Sequence, residues 1–309
     1  MTTVDSQARS ARSGRTSLGK PLSGTAFALL LAAPGVALFL GIILYPLLAS
    51  LVNSLYRQSL VLPGREFVGL ENFGDVLGGD LLPVLRNTIV FTAGSTVIPF
   101  LIGLSLALAL NQRMRGSAVL RGALLMPWII PSVVASFLWL WIFNANYGVL
   151  NGLLVRAGVL DSGAVWLGDP STAMLAVIIA KSWASFPWIM VMLLAGLQTV
   201  PADLMEAAEV DGAGAIRRFF AITLPHLKGV VGIVVLLEVI WNFHHFDIIW
   251  VLTGGGPAGS TTTFAVDVYR TAFRGFDVGS AAAMGVFWMI ILTLLVVVYL
   301  RVMERGERR

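Results

Sequence analysis

Residues 200–228 read VPADLMEAAEVDGAGAIRRFFAITLPHLK, a polar and partly charged stretch set between two long apolar runs. Its pattern is that of a short helix, a turn and a second helix. Pro201 suits a first helical position, Asp203 favours the positive end of the helix dipole, and Gly212 supplies a left-handed stop. The first helix is therefore expected from about Pro201 to Asp211. On it Asp203, Glu206 and Glu209 recur at three-residue spacing as an acidic stripe, with Leu204, Ala207, Ala208 and Val210 giving small apolar surface between them. A solvated surface helix and a helix that docks into a partner both fit this periodicity.

Outward from this loop the chain is apolar. It has 309 residues, 57% hydrophobic and 12% charged, which sets it outside the globular norm and inside the membrane class. A helix crosses a hydrocarbon core of roughly 30 Å with about 20 apolar residues, because only internal hydrogen bonds satisfy its backbone there. Runs of that kind fall at residues 27–51, 88–110, 122–143, 171–198, 229–252 and 281–300, so an all-α polytopic protein of about six spans is expected. These spans form one membrane domain over residues 25–303, with the loop 199–228 inside it, a disordered basic tail at residues 1–24 and a short tail at 304–309.

Charge gives the orientation. The N-terminal stretch, the loop with Arg113, Arg115 and Arg121, the loop with Arg217, Arg218 and Lys228, and the end after Arg301 hold most of the 21 basic residues. Both termini and the loop 199–228 are then expected in the cytoplasm. The formal charge of +4 is the usual basic excess of such loops and does not suggest nucleic acid. With no cysteine in the chain, disulfides, thiolate metal sites and thiol nucleophiles are excluded. Gly14 to Pro21 imitates part of a nucleotide-binding loop, but Pro21 stands where a hydroxyl is needed and no strand precedes it.

Ionisable groups inside spans are costly and mark function by default. Lys181 and Glu238 both fall near mid-bilayer, where they could pair with each other or face a solute. Glu238, Trp241, Asn242 and His245 share one helical face, a mixture of carboxylate, indole, amide and imidazole that suits hydroxyls and sugar C–H faces. Trp183 flanks Pro187, which is expected to kink the fourth span.

Glu206, Ala207 and Ala208, then Gly212, Ile222, Leu224 and Pro225, resemble the EAA signature of the permease subunits of binding-protein-dependent ATP-binding-cassette importers. FVGLENF (residues 67–73), FDIIWVLTGGGP (residues 246–257) and Thr261 to Thr263 extend the resemblance to the maltose-type and glycerol-phosphate-type carbohydrate permeases. That resemblance implies a type I importer permease fold, in which the loop docks on an ATPase. It gives Glu206, Ala207, Ala208, Asp211, Gly212, Leu224 and Pro225 to the coupling. Lys181, Trp183, Glu238, Trp241, Asn242 and His245 are expected on the solute pathway from their places in the spans, and in maltose-type permeases the general region of the fifth span contributes to that site.

It also implies a set of partners. These are a second, different permease subunit, two ATPase subunits that hold ATP and magnesium, an extracytoplasmic solute-binding protein and a carbohydrate-like solute, all at a bacterial inner membrane. This chain itself would hold no cofactor or metal and would not be an enzyme. An ion-gradient-driven carrier is the alternative on the intramembrane charges alone.

Overall fold

Residues 24–112 and 116–307 are described by the computed structural model. The expected disordered tail and the imitation nucleotide loop fall almost wholly on residues 1–23, outside the described residues, as do Arg113 and Arg115. The chain divides into two units, residues 1–49 and 50–309.

The first unit holds helix α1 (Gly24–Leu38), a π-helical turn at Phe39–Leu44 and the start of α2 (Tyr45–Asn53). Phe27–Asn53 is long and apolar enough to span, with mean hydropathy 2.6. Its apolar side chains, Leu30, Leu31, Ile42 and Ile43 among them, are exposed. Such a surface suits lipid and not water.

The second unit opens with a feature the apolar runs did not announce. Strands β1 (Tyr56–Gln58) and β2 (Arg65–Phe67) form an antiparallel ribbon in the register Tyr56 to Phe67. Helix α3 (Glu71–Gly78) follows, and Asn72 at its start is buried, donating to the carbonyls of Ser54 at 2.8 Å and Tyr56 at 3.0 Å. Arg57 pairs with Glu66 at 3.2 Å and also with Glu71. The FVGLENF segment is thus a folded clasp.

Helix α4 (Leu81–Leu110) begins earlier than the expected residue 88, because Leu81 to Asn87 continue the same helix. The expected single span 122–143 is instead two helices, α5 (Ser117–Ile129) and α6 (Ser132–Ile142), bent by 95°. The cause is Pro131, which has no N–H to give the ladder and forces Ile130 into an extended conformation with ψ 128. After α7 (Val149–Arg156), helix α8 (Ala173–Leu197) runs without a break through Pro187.

The loop 199–228 forms α9 (Ala202–Val210), α10 (Ala215–Arg218), a π-helical turn at Phe219–Thr223 and α11 (Leu224–His226). Helix α12 (Lys228–Phe243) leaves it at 69°. The expected span 229–252 is broken too, since the chain departs from helix at His244 and resumes as α13 (Asp247–Thr253). Helix α14 (Phe264–Tyr269), a π-helical turn at Arg270–Arg274 and α15 (Val278–Glu307) complete the chain. The expected tail from residue 304 is helical backbone through Glu307.

Packing centres on α4 against α8. Small residues let these helices approach: a Cβ on Gly103 would lie 2.9 Å from Ile189 Cγ2 and 3.0 Å from the Met190 nitrogen. In lipid, where burial of apolar surface drives little, such close packing is what associates helices. The TGGGP segment after α13 is pinned to the same core. Asn87 donates to the carbonyls of Gly259 at 2.9 Å and Thr262 at 3.1 Å, and Arg270 donates to that of Gly254 at 2.7 Å.

Candidate functional site

Both breaks in the spans face one cavity of about 340 Å³, a size that falls within the roughly 300–1,000 Å³ usual for small-molecule sites. The bend between α5 and α6 supplies Trp128 and Ser132, α8 supplies Lys181, Ser185 and Trp188, and α12 with its end supplies Glu238, Trp241 and His245. Helical spacing accounts for the grouping. Lys181, Ser185 and Trp188 recur every three or four residues along one face of α8, as Glu238 and Trp241 do along α12, and His245 follows just past the end of α12.

The charged heads are anchored within their own helices. Lys181 Nζ donates to Ser185 Oγ at 2.7 Å, and the Glu238 carboxylate accepts from Asn242 Nδ2 at 3.0 Å. The direct Lys181–Glu238 pair does not form: the ion pairs among the described residues are Arg57 with Glu66, Arg57 with Glu71, and Arg218 with Glu209. Two opposite charges share the cavity without touching. Trp188 and Trp241 meet edge to face with centroids 4.9 Å apart, while the His245 ring stacks on Phe91 at 6.1 Å. His245 Nε2 is buried and has no hydrogen-bond partner among the protein groups.

Two of the expected pathway residues lie elsewhere. Asn242 is buried, and its amide donates to Ser95 O at 3.0 Å and Thr96 Oγ1 at 3.2 Å as well as to Glu238, so it ties α12 to α4 and holds the carboxylate in place. Trp183 packs edge-on against Trp139, centroids 6.0 Å apart, away from the cavity lining. Ser185, Trp188, Trp128 and Ser132 were missed. The first two were legible as the same face of α8 as Lys181, whereas the others come from the bend that Pro131 makes. Ser132 Oγ donates to Asp247 Oδ2 at 2.5 Å, so the two breaks are joined across the chain.

The loop 199–228 presents a second, separate surface. Pro201 sits just before the first turn of α9, with ψ 129, one place outside the helix expected to start on it. Gly212 has φ +75, and Ala213 N–H donates back to Ala208 O at 2.9 Å, closing the helix end. Glu206, Ala207, Asp211 and Pro225 are exposed, and Ala208 and Leu224 are partly covered. Around them Leu204, Val210, Ile216 and Phe220 expose large apolar surface. Glu209 accepts from Arg218 at 2.7 Å, bracing α9 against α10. At the other end Leu227 is fully buried among Leu193, Leu197 and Val230, which fixes the loop to α8 and α12. The π-helical turn before Pro225 absorbs the N–H that proline lacks.

Comparison with known proteins gives a consistent answer. The chain is 37% identical over 274 residues to the trehalose/maltose transport system permease protein MalF of Thermococcus litoralis, covering 88% of this chain and 92% of that one. It is 36% identical to the sulfoquinovosyl glycerol transport system permease protein SmoG and 34% identical to the sn-glycerol-3-phosphate transport system permease protein UgpA, both of Agrobacterium fabrum. These cover 91% and 89% of the chain, and 91% and 94% of the respective relatives.

In fold it is similar to a chain of a bacterial ABC transporter involved in the import of the acidic polysaccharide alginate. The TM-score is 0.78 at 20% identity, covering 90% of this chain and 94% of that one. Residues 99–309 match the family described as binding-protein-dependent transport system inner membrane component, and the chain belongs to it.

Proposed function

We infer that this permease moves a sugar or sugar-like solute inward through the cavity between α5–α6, α8 and α12, driven from the loop 199–228 by ATPase subunits that are separate chains. One observation carries the reading. The exposed, EAA-bearing α9 is braced on α10 by Glu209 and Arg218, the far end of the loop is anchored by Leu227 between α8 and α12, and α12 carries Glu238 and Trp241 into the cavity. A push at the loop therefore has a direct path to the groups that would hold the solute.

In this reading the loop and both termini face the cytoplasm, in accord with the excess of Lys and Arg there. The chain is the non-catalytic part: ATP and magnesium sit on two ATPase partners, a second permease subunit completes the pathway, and an extracytoplasmic binding protein delivers solute. The exposed Glu206, Ala207, Asp211 and Gly212 form the docking face, with Leu224 and Pro225 at the return to the membrane. Alternating access then follows from two arrangements of the broken spans about the cavity. The family assignment leaves an ion-gradient-driven carrier without support.

The names of the relatives include both uncharged and acidic solutes, so they narrow the class to carbohydrates and polyol derivatives only. The lining itself suits that class, since hydroxyls need donors and acceptors together and sugar C–H faces pack on indoles.

The test is uptake in cells. Glu206→Arg places a cation where the docking face is acidic, and uptake is expected to be lost while the protein still inserts. Uptake at the normal rate in that variant would refute the coupling role. An uncoupler that leaves ATP intact should not stop transport.

A further inference from the structure

The cavity contains one cationic and one anionic side chain, and neither neutralises the other by contact. The Lys181 ammonium is held by Ser185 and the Glu238 carboxylate by Asn242, each on its own helix. An ammonium so held has donors to spare, and a carboxylate has lone pairs to spare. His245 Nε2, buried without a partner, adds a third unused polar group on the same lining.

Their sum decides what enters. One cation and one anion add to zero, and a proton passed between them would leave the sum unchanged. An anionic solute would be attracted by one group and repelled by the other while giving up its hydration, which is the costliest part of entering an apolar site. A neutral polyol avoids that cost. Its hydroxyls donate to Glu238 and accept from Lys181, and its C–H faces lie against Trp188 and Trp241.

We propose that the part of the solute site built by this chain selects uncharged saccharides over saccharides of the same size that bear a carboxylate or phosphate. The proposal rests on the cavity being the solute pathway. Within that reading it places the chain's specificity in the balance between Lys181 and Glu238.

The experiment uses the transporter complex purified through a tag on this chain, with sugar binding read by saturation-transfer NMR, which suits weak ligands. The probes are trehalose and maltose, each paired with its mono-uronate, which has the same size and one added negative charge. The unaltered complex is expected to prefer the neutral member of each pair by about ten-fold or more. Glu238→Gln keeps the contact to Asn242 but leaves Lys181 unbalanced, and should reduce that preference by about ten-fold. Lys181→Met should widen it.

ATP hydrolysis by each purified complex reports assembly. If Glu238→Gln does not assemble, Lys181→Met decides the matter, and an unmoved preference in it overturns the proposal. Equal or tighter binding of the uronates by the unaltered complex, or a preference unmoved by an assembled Glu238→Gln, also overturns it and leaves the cavity as the pathway. Binding of neither kind of sugar overturns the proposal and the pathway reading together.

Discussion

Asn242 divides its amide between Ser95 and Thr96 on α4 and Glu238 on its own helix. It positions Glu238 and ties α12 to α4, so on the proposed pathway its loss should act on stability and transport together. Side-chain hydrogen bonds inside membrane bundles contribute about 0.6 kcal/mol each on average, with about 1.7 at most, so Asn242→Ala should destabilise the protein by about 1–3 kcal/mol. A thermal unfolding scan of the detergent-solubilised protein checks this, and sugar uptake should fall because the Glu238 carboxylate loses its donor. Asp267 shows the opposite balance. Burial raises its carboxyl pKa, Asp80 raises it further and Arg270 pulls it back. The stability that goes with its protonated form is full below the ordinary value of 3.8 and is lost as pH rises through the raised one. Asp267→Asn should therefore raise the midpoint of thermal unfolding at pH 7 and leave it nearly unchanged at pH 3.5, and a rise of the same size at both would refute the sign.

At the level of elements, the seam between α4 and α8 depends on glycine. Gly103→Ala pushes a methyl against Ile189 and the Met190 backbone, and overpacking of this kind costs about 1–3 kcal/mol. Gly122→Ala on α5 meets nothing within 4 Å and should be neutral or slightly stabilising by the same unfolding measurement. The first span, α4, α8 and α15 were legible in the sequence because hydropathy alone marks a long unbroken helix. The two broken spans were not. Their apolar runs continue across Pro131 and His244, and hydropathy is blind to direction, so only the backbone restriction at X-Pro hinted at the first break. The ribbon of Tyr56–Gln58 and Arg65–Phe67 escaped for a related reason, since three residues per strand are too few for alternation to show. The loop 199–228, by contrast, was readable almost residue by residue, because capping and glycine turns are local effects.

For the molecule as a whole, the same breaks explain which parts of the site were foreseen. Lys181, Glu238 and Trp241 fall on continuous helical faces, with His245 just past the end of α12, and spacing finds such groups. Trp128 and Ser132 reach the cavity only because the chain bends by 95°, and spacing cannot see a bend. Asn242 shares the face of Glu238 yet turns to α4, which depends on a helix neighbour far away in sequence. The Ser132–Asp247 bond then joins the two bent elements. In a chain free of native cysteine, replacing both residues by cysteine and linking them with a short thiol crosslinker should arrest uptake by about ten-fold or more, a reductant restoring it where the linker is cleavable. Full-rate uptake in the linked protein would show that these elements keep their arrangement throughout the cycle. The anchoring of Leu227 has a mechanical corollary. Glu238 stands eleven residues beyond that pivot, about 16.5 Å along the axis of α12 at ~1.5 Å per residue. Tilting the helix by only about 10° there would carry the carboxylate sideways by roughly 2.9 Å, about the length of one hydrogen bond, so on the proposed pathway a small rotation at one end would be geared into release or capture at the other.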